Sequence, residues 1–162
     1  VSTFHARYDA LARRYSYKIG IDEGSRSPFR RRYEWHLQDR LDGTVLRDSA
    51  QAIRGEHCFR AYAVQGTAPA TDDHRCEITA AHWCDAGDGN AIVFEIEANR
   101  FLHHMVRFLV GTMVDAARGR RDPADVARLL VAHDNSETSA PAPAHALVLE
   151  RVTYPADLYV SL

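Results

Sequence analysis

Arg107 stands in the middle of an apolar run, NRFLHHMVRFLVGT, that extends from Asn99 to Thr112. A guanidinium keeps its charge in a protein and is costly to desolvate alone, so an arginine in that setting needs a carboxylate, a phosphate or a route to water. Two readings stand side by side: an ordinary buried ion pair within the chain, or a cation kept for chemistry. Tyr15 shares one side of an alternating run with Tyr17, where a tyrosine ordinarily serves a core or an interface. His103 and His104 invite a metal, but adjacent helical residues diverge by about 100° and cannot easily share one ion. Packed histidines at a helix start are the simpler reading, and neither an HExxH pair nor clustered carboxylates support a metal site. Cys58 beside His57 raises the idea of a thiol nucleophile, although adjacency in sequence fixes no geometry. No Gly-rich phosphate loop and no GxSxG elbow occurs.

The elements that must position these residues can be read from periodicity. Tyr15, Tyr17, Ile19 and Ile21 alternate with Arg14, Ser16, Lys18 and Gly20, which predicts a strand over Arg14–Ile21 with one buried face. Ser27 before Pro28 opens a short turn or helix, and Arg30, Arg31 and Arg32 read as a solvated basic edge. Asp42 caps a helix that runs through Arg54, with Val45, Leu46, Ala50 and Ile53 on one face and Gly55 at its end. The next stretch, residues 55–75, reads as loop. Two strands follow, Cys76–Cys84 and Ala91–Glu97, joined by the turn DAGDGN. Asn99 is placed to cap the long helix that carries Arg107, with Leu102, Met105, Val106, Leu109 and Met113 at helical spacing and a stop near Gly119. Asp122 and Pro123 start a shorter helix to about Ala132, and SAPAPAHA leads as a loop into a last strand, Ala146–Tyr154. The order predicts an α+β fold, a mostly antiparallel sheet with helices packed on one face.

Bulk properties narrow the class. The 162 residues, 46% of them apolar, suffice for one globular core. There is no run of 18 apolar residues and no cleavable leader, so a cytoplasmic protein without membrane contact is expected. Cys58, Cys76 and Cys84 lack CxxC spacing and read as reduced packing thiols. The net charge of −2 hides an asymmetry: residues 1–40 hold nine Lys or Arg against five Asp or Glu, and the remainder is acidic. Lys18 is the single lysine among 20 basic residues, and arginine is the cation suited to phosphate and base stacking.

Four segments, FHARYDALARRYSYKI, GEHCF, NRFLHHMVRFLVGT and APAPAHALVLERVTY, together resemble the tRNA pseudouridine synthase A family, in the family's order and over nearly the whole chain. The resemblance is to the carboxy-terminal half of the family's protein, so residues 1–162 are expected to be one half of a pseudouridine synthase fold. The amino-terminal half, whose RTDAGVHA-like motif holds the nucleophilic aspartate, has no counterpart in this sequence. The resemblance implies that Arg107 pairs with that aspartate, keeping it ionised and oriented. It implies that Tyr15 lines the pocket, stacks on the target uracil and takes part in proton transfer at C5. Leu147 becomes a candidate for the pocket wall, and Arg7, Arg13, Arg14 and Arg26 become candidates for phosphate contact, with an ordinary solubility role open for each.

The implied reaction is isomerisation of uridine to pseudouridine in the tRNA anticodon arm, at positions 38 to 40, on a base taken out of its stack. The resemblance further implies no metal or organic cofactor, tRNA as partner, and a homodimer. This chain alone is then expected to be inactive and, with an apolar edge uncovered, to self-associate or to have another chain occupy that edge. The sequence departs from the family's usual pattern at Cys58, Arg60 and Tyr62 and at Ala146, none of which is Arg107 or Tyr15. The competing reading is a non-catalytic RNA-binding or dimerisation module built on the same sheet.

Overall fold

A computed structural model describes residues 4–67, 73–87 and 89–159. In chain order the strands are β1 (Ala12–Gly20), β2 (Trp35–His36), β3 (Gly55–Cys58), β4 (Arg75–Asp85), β5 (Ala91–Ala98) and β6 (Leu147–Thr153). The α-helices are α1 (Gly43–Ala52), α2 (Met105–Ala117) and α3 (Asp125–Arg128). The fold is α+β, with a mostly antiparallel sheet.

β1 is the hub of that sheet because both of its edges are used. β5 pairs along one edge from Arg13 to Gly20. The other edge is shared in series, by β6 opposite residues 12–17 and by β2, the one parallel neighbour, at Ile19 and Gly20. β4 and β3 continue the sheet beyond β5, giving the order β2-β1-β5-β4-β3 with β6 beside β1. The period of two sends Tyr17, Ile19, Phe94, Ile96 and Ile78 into one core with Leu109, Met113 and Val114 of α2 and with Leu46 and Ile53 at α1. Arg14, Ser16 and Lys18 go to the opposite, polar face, where their register partners are Glu97, Glu95 and Val93. Asp42 caps α1 as its residue type predicts, accepting from the N–H groups of Thr44 and Val45.

Three expectations are corrected, and one strand is added. Asn99 does not cap α2: its side-chain oxygen accepts from the Glu77 N–H at 3.0 Å, and its own N–H donates to the Glu77 carbonyl at 3.2 Å. Residues 99–104 are therefore tied to the sheet beside the β4–β5 register shift at Ile78/Ala80, and the helix begins only at Met105. The stretch read as loop contains β3, because Gly55, at φ 94°, turns the chain out of α1 into pairing with β4. Trp35 and His36, too short a pair to show periodicity, form β2. Arg30 is not a free solvated cation: half-buried, it is paired with Asp22 and Glu34 at 2.8 Å each, and Glu34, buried, also holds Lys18 at 3.1 Å.

The approach of one loop to α2 is unusually close. A Cβ at Gly111 would lie 2.2 Å from the Ala140 carbonyl oxygen, a backbone atom that cannot rotate away. Glycine there lets residues 140–142 lie against the helix, where the Ala142 N–H donates to the Arg107 carbonyl at 2.9 Å. Replacing Gly111 with alanine is expected to destabilise the fold by about 1–3 kcal/mol through overpacking, read as a lower urea midpoint.

Candidate active site

The 140–142 loop also fixes Arg107. Its Nε donates to the Ala142 carbonyl at 2.6 Å, and its Nη1 lies 3.2 Å from Nε2 of His104. Loop and helix thus bond through main chain and side chain at once. Among the described residues no carboxylate lies within salt-bridge distance of this half-buried guanidinium, whereas Arg14, Arg30, Arg118 and Arg121 each have at least one.

Arg107 opens on a cleft of about 1110 Å³ between the end of β5, the start of α2, the start of β6 and the segment leading into β1. Tyr15, Leu147, Arg7 and Arg13 line the same cleft. Tyr15 lies on β1 one register step from the buried Tyr17, its ring edge-on to Phe101 with centroids 5.2 Å apart. Its hydroxyl has no hydrogen-bond partner among the described residues. Tyr17 donates to the Pro143 carbonyl at 2.8 Å, and burial raises its pKa despite the opposing charge of Arg107. One tyrosine of the alternating pair is thus structural, and the other faces the open cleft.

Arg13 is committed to main chain. It donates to the carbonyls of Asn99 at 2.6 Å, of Ala10 at 3.0 Å and of Arg7, which fastens the segment before β1 to the end of β5. Arg7 is exposed at the rim, its guanidinium 5.9 Å from the ring centre of Tyr8. Arg14 and Arg26 are not brought to the cleft. Arg14 lies on the polar face of the sheet and pairs with Glu97 at 3.0 Å, and Arg26 pairs with Glu23 at 3.6 Å in an exposed turn. Cys58 is on β3, outside the cleft. A second concavity of about 670 Å³ runs from Arg40 to Pro123, but its Arg118 and Arg121 are already paired with Asp39 and Asp125.

Arg100, Phe101 and His104 also line the cleft; the sequence gives no role to the first two and marks His104 as a packed histidine. Assigning residues 99–104 to a helix spread them around a cylinder, whereas as a loop they gather on one wall. Arg100 is held by Asp73, through a side-chain contact at 3.3 Å and a bond to its carbonyl at 3.1 Å. His103 and His104 do not diverge as helical neighbours would: their ring centres are 4.1 Å apart. His104 has φ 61°, the sole positive value at a non-glycine among the described residues. Such backbone costs on the order of 1–3 kcal/mol and persists where surrounding structure enforces it. Since a guanidinium has no acceptor, Nε2 of His104 must carry the lone pair that receives Arg107, which leaves the ring proton on Nδ1.

A family model for tRNA pseudouridine synthase matches residues 49–155, a span that includes Arg107 and Leu147. The chain belongs to the tRNA pseudouridine synthase family. It is similar to the tRNA pseudouridine synthase A of Shewanella amazonensis, 37% identical over 155 residues that make up 94% of this chain and 56% of the relative. The same enzyme of Moorella thermoacetica is 35% identical over 153 residues, covering 93% of this chain and 59% of the relative. That of Leuconostoc citreum is 32% identical over 151 residues, with 93% and 57% covered. The chain therefore spans a little over half the length of these pseudouridine synthases.

Burial, and then the charges of Arg107 and His103, hold the His104 imidazole below its ordinary pKa of 6.5. A depressed folded-state value means that the stability tied to the neutral ring is complete above 6.5 and is lost as the pH falls from there towards the folded-state value. The urea midpoint is expected to drop as the pH is lowered below 6.5, and to drop less in His104→Asn, which cannot ionise and tolerates the left-handed backbone.

Proposed function

We propose that this chain is the carboxy-terminal half of a tRNA pseudouridine synthase A, and that it supplies the arginine and tyrosine walls of a pocket completed by an aspartate from the amino-terminal half. The observation that carries this reading is the half-buried guanidinium of Arg107, opening on a cleft shared with Tyr15 while its near partners are a carbonyl and a neutral imidazole. Neither partner neutralises a full positive charge. A carboxylate entering the cleft would do so, and the guanidinium would in return keep that carboxylate ionised and aimed.

On this reading the substrate is a uridine of the tRNA anticodon arm, at positions 38 to 40, swung out of its stack into the cleft. The aspartate assists cleavage of the N1 glycosidic bond. The freed uracil turns against the Tyr15 ring, C5 bonds to C1′ of the ribose, and the proton lost from C5 is matched by one taken up at N1, so the product is an isomer of the substrate. Leu147 supplies apolar wall, and Arg7 at the rim is free to meet a phosphate. Arg13 works one step removed, holding the rim in place through three carbonyls. Arg14 and Arg26, each already facing a carboxylate, are weaker contacts for the nucleic acid. No residue of this scheme calls for a metal or organic cofactor.

The open edge of β6 supports the presence of a further half. Val148 and Leu149 are exposed there, 43% and 49% accessible, on a strand whose other edge is already paired with β1. An apolar strand edge of that kind favours pairing with another chain segment, either the other half or a second copy. Among the described residues no helix is long and apolar enough to cross a membrane.

The test is release of tritium from C5-labelled uridine in anticodon-arm tRNA. The chain alone is expected to give no turnover, and addition of the amino-terminal half to restore it. Arg107→Ala is expected to cost the restored activity at least about a hundredfold by misplacing the nucleophile. Turnover by the chain alone, or full activity of the variant, would overturn the proposal.

A further inference from the structure

On the sheet face turned away from the helices, three metal-ligating side chains converge. His82 and Cys84 are two residues apart on β4 and so project from the same face. Glu95 of β5 is the register partner of His82, and Cys84 stands opposite Val93. The strand pairing therefore fixes the three positions before any side-chain choice is made. Nε2 of His82 lies 3.2 Å from Oε2 of Glu95, and the ligand atoms of all three lie within 4.8 Å of one another. Among the described residues no other group of three such side chains does so.

These separations fit a tetrahedral ion. Zinc bonds of about 2.0–2.2 Å to nitrogen and oxygen and about 2.3 Å to sulfur require a nitrogen-to-oxygen edge of about 3.4 Å and edges to sulfur of about 3.6 Å. The His82–Glu95 edge is already close to that length, and Cys84 has to swing in by about an ångström at most. All three side chains are accessible, so water can take the fourth position. The local field favours a cation too. The carboxylates of Glu95 and Asp85 lie near the Cys84 thiol, a negative field that a divalent ion would relieve.

The geometry points to a surface site for zinc or a related borderline divalent ion at His82, Cys84 and Glu95, pinning β4 to β5 near their hairpin. An imidazole, a thiolate and a carboxylate select such an ion over magnesium or calcium, which prefer all-oxygen shells. Binding takes the thiol proton of Cys84 to solvent, so affinity rises with pH. The site lies on the sheet face opposite the Arg107 cleft and is independent of the proposed reaction.

The test is titration of the purified chain with cobalt(II) in a non-chelating buffer. A thiolate-to-cobalt charge-transfer band is expected to saturate at one equivalent and to be discharged by zinc(II). It is expected to vanish in Cys84→Ala, to persist in Cys58→Ala, and to need about tenfold or more metal in both His82→Ala and Glu95→Gln. Zinc is expected to raise the melting temperature of the unaltered chain and not that of Cys84→Ala, with magnesium and calcium without effect. All three replaced side chains are at the surface, and circular dichroism of the metal-free variants checks that they fold. Absence of the band, its survival in Cys84→Ala, or indifference to both His82→Ala and Glu95→Gln would overturn the inference.

Discussion

The charge of Arg107 is the constraint on which the site depends. A guanidinium on a buried helix must be held somewhere, and here the holder is the 140–142 loop, through the Ala142 carbonyl. That loop can reach the helix only because residue 111 has no side chain. The main chain of Arg107 accepts in return from the Ala142 N–H, so one residue joins helix and loop by two routes. Tyr17 adds a third tie, from β1 to Pro143 of the same passage. Core, helix and loop thus share the work of presenting one cation to an open cleft.

The opposite wall is positioned by a different device. Residues 99–104 cannot be helical, because Asn99 is engaged with Glu77 of β4 and the backbone reverses hand at His104 before α2 begins. This strained junction sets the His104 ring against Arg107 and lines the cleft with Phe101, which meets Tyr15 edge-on. Groups held in place in this way have little freedom left to lose if a ligand enters the cleft. The arginines sort themselves by the same logic. Those that meet a carboxylate, such as Arg14 and Arg30, serve the fold, whereas Arg107 keeps a charge that the described chain does not neutralise.

Much of this was legible from residue order. Alternation from Arg14 to Ile21 marked β1 and put Tyr15 and Tyr17 on one side, and the glycines of DAGDGN marked the β4–β5 hairpin. Arg107 stood out because its residue type contradicts its apolar surroundings. The misreadings have one cause. Asn99 looked like a cap since local chemistry permits it, but a longer-range bond to Glu77 took precedence. β3 and β2 are too short to carry a period and exist only because a neighbouring strand offers an edge. Arg30 looked solvated because its acidic partners, Asp22 and Glu34, are brought to it by a turn.

Periodicity and residue type alone establish the fold class, the principal strands and helices, and the identity of the residues from which a site could be made, since these follow from what each side chain tolerates locally. Tertiary structure decided which of them meet. It gathered Arg107, Tyr15, Leu147, Arg7 and Arg13 around one cleft, and left Arg14 and Arg26 elsewhere. It added His104 and Phe101 to the cleft, and it set His82, Cys84 and Glu95 side by side on the far face of the sheet. The reason is physical: strand register and loop closure join residues far apart in the chain, and no local pattern encodes such a meeting.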